Sequence, residues 1–143
     1  MSGLTPERRA ELLAAAGRDD LVALADRCAA ADPRPTVTVA PEVGTILLEV
    51  REPVAHDRFH LGEVLACRAE VSVPGGSGWA LRLGDDRLAT LAAAVCDAEV
   101  DASRPLAAEV EDLCKRATLR LAAERAAEWR ELAPTQVAFE ELD

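Results

Sequence analysis

"RFHLGEVLACRAEVSVPGGSGWALRLGDD", Arg58–Asp86, is the stretch whose reading decides the fold. From Glu63 onward apolar and polar residues alternate, the period of a half-buried strand. Leu65, Cys67, Ala69, Val71 and Val73 share one face, and Arg68, Glu70 and Ser72 share the other. "PGGSG" then reads as a hairpin loop. "WALRLG" returns as the next strand, with Trp79, Leu81 and Leu83 expected inward and Arg82 outward. Gly62, where a polar entrance becomes a strand, is a natural place for a bulge. Gly84 and Asp85 mark the end of the sheet, and Asp85 or Asp86 is suited to N-cap a helix.

Working outward, "TVTVA" alternates, "PEVG" reads as a turn, and "TILLEVRE" is a strand with Ile46, Leu48 and Val50 on one face. "PVAHD" interrupts before Arg58. On the N-terminal side, Thr5-Pro6-Glu7 is a strong helix start, and Gly17 separates that helix from a second one behind Asp19 or Asp20. Leu21, Leu24, Ala25 and Cys28 form the stripe of the second helix, and "ADPRP" stops it. On the C-terminal side, "RLATLAAAVCDAEV" is a helix. Another begins near Ser103-Arg104-Pro105 and runs to about Leu132, with Leu106, Val110, Leu113, Ala117 and Leu121 in step.

Helices and strands are segregated along the chain, which predicts the α+β class. The expected architecture is an antiparallel meander of about four strands, an N-terminal αα-hairpin, and two C-terminal helices packed mainly on one face. A chain of 143 residues fits one domain. Its parts are a helical hairpin over 1–32, the sheet over 36–84, two helices over 85–132, and a tail over 134–143. Val137 and Phe139 alternate with polar residues in the tail, a pattern that suits addition to a partner's sheet.

The formal net charge is −10. That excludes non-specific nucleic-acid binding, which needs a positive surface to displace counterions, and excludes a basic membrane-surface helix. No stretch is long and apolar enough to span a bilayer, and "MSGLTPERRAELL" lacks the apolar run of a signal peptide, so a cytoplasmic location is expected. The four cysteines, 28, 67, 96 and 114, lack metal-site spacing and are expected to be reduced and mostly buried.

Catalytic motifs are weak. His56 and His60 are four apart, but on a strand such positions are about 13 Å apart, too far for one ion. Cys67 alternates with core residues, which suppresses thiol reactivity. "PGGSG" joins strand to strand and does not fit a phosphate loop. Asp85-Asp86 is explained by capping. The outward sheet face, with Glu49, Arg51, Arg68, Glu70 and Arg82, is expected to be solvated and charged. Arg58, His60, Glu63, Arg68 and Arg82 are the candidates for ligand or partner contact. No catalytic residue and no metal ligand is assigned.

Four segments, "PEVGTILLEVREP", "RFHLGEVLACRAEV", "GWALRLGDD" and "LATLAAAVCDA", resemble in order and spacing the PhnG family, the small subunit of the bacterial carbon–phosphorus lyase core complex. The diagnostic elements are Phe59-Gly62-Glu63, Cys67-Arg68-Val71 and Gly84-Asp86; Cys67 stands where Thr is more usual. The resemblance implies an accessory subunit, inactive alone, alongside PhnI-, PhnH- and PhnJ-like partners. It implies a role in organophosphonate use, in which ATP and a phosphonate give an alkylphosphonate ribose triphosphate with loss of adenine. ATP would be used by the complex, with no cofactor bound by this chain. The alternatives are a homodimeric interaction module or a small anion-binding protein.

Overall fold

A computed structural model describes residues 3–137. Helices α1 (Pro6–Ala15) and α2 (Arg18–Ala30) precede strands β1 (Thr36–Arg51), β2 (Arg58–Val73) and β3 (Gly76–Leu83), followed by α3 (Arg87–Asp101) and α4 (Ala107–Leu132). The sheet is antiparallel with order β1-β2-β3. The α+β class and the segregation of elements follow the expectation from sequence.

Among the described residues the sheet has three strands where about four were expected. "PEVG" is not a turn: β1 runs through it as one strand, with register shifts between Val37 and Val39 and between Val39 and Glu42. β1 is an edge strand, where a bulged backbone tolerates Pro41 because no second neighbour needs its missing N–H. The second helix begins at Arg18, with Gly17 as its N-cap and Asp19 and Asp20 inside the first turn. The last helix begins at Ala107, slightly later than expected.

Thr5 caps α1 through the Arg8 N–H, as its position before Pro6 predicts. At α3, Asp86 and not Asp85 is the cap: its Oδ1 accepts from the Ala89 N–H at 2.9 Å. Asp85 is exposed. Gly84 stands between strand and helix at φ 96°, a left-handed conformation suited to glycine, and its N–H reaches Leu65 O at 2.9 Å.

The core is built on α3, whose Ala89, Ala92, Ala93, Ala94, Cys96 and Ala98 are all buried. Such small side chains let the helix lie close on the sheet. The approach is closest at Gly78, where an added Cβ would fall on the backbone of Ala94 and Ala98. This closeness corrects the expected facing of β3. Gly78 and Ala80 are buried, whereas Trp79, Leu81 and Leu83 are exposed. Arg82 also reverses: its guanidinium donates to Leu13 O at 2.8 Å and to Ala16 O at 3.5 Å, carbonyls at the end of α1. The large apolar residues lie on the sheet's open face because the covered face has room only for small ones.

On β2 the expected inward set holds for Cys67, Ala69, Val71 and Val73, while Leu65 is exposed. All four cysteines are free and buried. Burial raises the Cys114 thiol to about 11. Cys28 and Cys96 interact side chain to side chain, which pushes Cys96 up and Cys28 down.

The buried polar side chains Arg9, Thr90, Asp97 and Glu99 are each satisfied, and the exposed Asp101 at the end of α3 adds one more bond to the sheet. Asp97 accepts from Arg9 Nε at 2.5 Å and from the Trp79 N–H at 3.1 Å. Glu99 accepts from Arg104 Nε and from the Leu106 N–H, both at 2.9 Å. Thr90 donates to Asp86 O. Asp101 accepts from the Ser77 N–H at 3.0 Å. Thus two N–H groups of the edge strand β3 end on carboxylates of α3, which blunts that edge against strand addition.

Candidate interaction site on the β1–β2 arm

β3 ends at Leu83, paired with Ala66, but β1 and β2 continue past it. From Thr45 to Arg51 and from Arg58 to Leu65 they form a two-stranded ribbon, roughly 20 Å long by strand rise. Its turn is well built. The Glu52 carboxylate accepts from the Val54 and Ala55 N–H groups, each at 2.6 Å, and the Glu52 N–H donates to Asp57 O at 2.8 Å. His56 takes a left-handed φ of 60° within this turn.

The bulge expected at Gly62 is present. Leu48 pairs with Gly62 and Glu49 pairs with His60, so Leu61 is the extra residue. The shift brings Arg58 and His60 onto one carboxylate: Glu49 lies 3.3 Å from Arg58 Nη1 and 3.9 Å from His60 Nε2. Glu49 is therefore the residue that joins the predicted pair, a role that becomes visible only once the cross-strand register is known.

The predicted set does not form one site. Arg58 and His60 meet on the arm. Glu63 pairs across from Leu47 in the ladder, with an exposed side chain. Arg68 lies further along, on the open face, 3.4 Å from Glu42. Arg82 is on the covered face, holding α1. Val137 is exposed, and Phe139 lies outside the described residues. Among the described residues, no group of three or more His, Cys, Asp and Glu side chains is placed to hold a metal ion. No described helix is long and apolar enough to cross a membrane.

The apolar side chains of the arm are the unusual part. Leu47 and Leu61 are 62 % and 63 % exposed, Val54 is 86 % exposed, and Phe59 and Leu65 are about half exposed. An isolated two-stranded ribbon is at best marginally stable in water, and large apolar side chains stand exposed on both faces of this one, Leu47 and Leu65 on one face by the register and Phe59 on the other, which suits a ribbon covered by a partner. The exposed ion pairs around Glu49 stabilise little by themselves. Already paired, they suit the rim of a contact better than a site of proton transfer.

Residues 6–142 match the family model described as "Phosphonate metabolism protein PhnG". The chain belongs to the PhnG family. The match covers nearly the whole chain, so the arm, the sheet and helices α1 to α4 are parts of a PhnG protein, and membership places the chain in phosphonate metabolism. No curated protein matches it.

Proposed function

We propose that this PhnG-family chain is an accessory subunit of the carbon–phosphorus lyase system, engaged by PhnI-, PhnH- and PhnJ-like subunits, and that it works in the cytoplasm. The supported step is the ATP-dependent formation of an alkylphosphonate ribose triphosphate. A phosphonate oxygen bonds to the ribose carbon that carried the base, the bond to adenine breaks, and adenine leaves with the electron pair and is protonated. The observation that carries this reading is the arm, a ribbon with large apolar side chains exposed on both faces beside paired charges and left uncovered by the other described residues. The net charge of −10 fits the same division of labour, since cationic residues that hold a triphosphate would lie mainly on the partners.

The test is adenine release from ATP and methylphosphonate. The expected result is none from this chain alone, and release when it is combined with the PhnI-, PhnH- and PhnJ-like subunits. A Leu61→Glu variant should lose both association and release. Release by the isolated chain, or failure of the wild-type chain to associate with those subunits, would overturn the reading.

A further inference from the structure

Helix α4 carries two apolar stripes on different sides. With successive residues ~100° apart, Val110, Leu113, Cys114, Ala117 and Leu121 fall on one line, and the first four are buried in the core with Leu121 packed partly against it. Beyond Leu121 that line continues as Glu124 and Glu128, both exposed. Carboxylates there end the helix's contact with the body, and the remainder of α4 is exposed on every side. A second stripe begins as the first ends: Leu119, Ala122, Ala126 and Trp129 fall within roughly 80° of one another, some 130° around the helix from the core line. Leu119 is 71 % exposed and Trp129 62 %.

An all-polar surface would suffice for a helix that only projects into water. A stripe with Leu and Trp anchors and small residues between them is the pattern of a helix seated in a groove. Its edges decide what seats it. Arg125 and Arg130 lie about 70° to either side of the stripe, and neither makes an ion pair among the described residues; Arg130 donates only to the Ala126 carbonyl. Basic residues on both edges would face basic residues in a second copy, parallel or antiparallel. They match carboxylates instead.

We propose that the distal half of α4 is a second docking surface, separate from the arm, and that its occupant is another protein presenting an apolar groove bordered by Asp and Glu. The inference rests on the reading of this chain as a subunit of the PhnI-, PhnH- and PhnJ-like assembly.

The experiment measures assembly of the full chain with those co-produced subunits, for wild type and for Leu119→Glu/Trp129→Glu and Arg125→Glu/Arg130→Glu variants. Each isolated variant should keep its helical circular dichroism and melting temperature, because the changed side chains are exposed. Affinity should fall by about tenfold or more for the apolar pair. It should also fall for the charge-reversed pair, whose residual binding should lose its salt dependence. Amides of 119–130 should become protected from hydrogen exchange in the assembly. Wild-type affinity in both variants, with those amides unprotected, overturns the proposal and leaves the subunit reading standing. A wild-type chain that is dimeric alone, and monomeric as Leu119→Glu/Trp129→Glu, overturns it in favour of a second copy. A wild-type chain that joins no assembly removes the subunit reading and this proposal together.

Discussion

Arg9 and Asp97 meet inside the protein, Nε to Oδ1 at 2.5 Å, with side chains only 6 % and 3 % exposed. The pair ties the first helix to the third, and the second oxygen of Asp97 fixes the backbone of β3 through Trp79. Burial raises the Asp97 pKa, with Arg9 and the Trp79 N–H opposing it. Replacing Asp97 with Ala leaves the buried guanidinium only the longer 3.9 Å pair with Asp101 and strands the Trp79 N–H. The expected loss is about 3–5 kcal/mol in urea unfolding. Arg9→Met/Asp97→Leu should lose less than Asp97→Ala, because no unpaired charge remains buried.

Gly78→Ala tests the close approach of α3. The obstructing atoms are backbone of Ala94 and Ala98, not the ends of flexible side chains. Overpacking of this kind costs about 1–3 kcal/mol or more. Gly44→Ala, where an added Cβ meets nothing, should melt close to wild type, and equal melting of the two variants would contradict the packing.

Asp86 gives a pH signature. Its pKa is lowered, chiefly by the Ala89 N–H and also by Arg18, whose Nε is 2.8 Å away. A carboxylate with a lowered folded pKa contributes stability that is present above its unfolded value, near 3.8, and lost as pH falls through the folded value. Asp86→Asn keeps a capping oxygen but not the charge. The stability gap between wild type and Asp86→Asn should therefore be open at neutral pH and close below about pH 3.8, as read by urea unfolding.

Arg82 separates a structural role from a ligand role. Its guanidinium satisfies carbonyls at the end of α1, and the Arg120 guanidinium binds the neighbouring Ala15 carbonyl. Arg82→Met should lower stability by about 1.5–3 kcal/mol, the range for hydrogen bonds from charged donors. Assembly with the partner subunits should remain once the variant is folded. A stable Arg82→Met that fails only in adenine release would return Arg82 to the candidate site.

The order of elements and the caps at Thr5 and Asp86 were legible because they rest on local chemistry: a hydroxyl before Pro6, a carboxylate before a helical run. The parity of β3 was not. Alternation shows that Trp79, Leu81 and Leu83 share a face, but not which face, and large apolar side chains are ordinarily assigned inward. What reverses them is the thinness of the alanine-rich α3 interface, a property of another element. The continuity of β1 was hidden for a similar reason, since Pro41 and Gly44 signal a turn unless the strand is known to lie at an edge. Of the candidate site, Arg58 and His60 were visible as residues, while their common partner Glu49 depended on a one-residue bulge.

The buried thiols have a practical consequence. All four cysteines are enclosed, so the folded chain offers no native thiol to an alkylating reagent. Labelling of the wild-type chain then becomes a clock for its opening, with modification proceeding only as fast as the interior is exposed. A single cysteine added at Leu61 or Trp129 would be the lone fast-reacting handle on the surface. A fluorophore could thus be placed on the arm or on the distal helix without removing any of the native four.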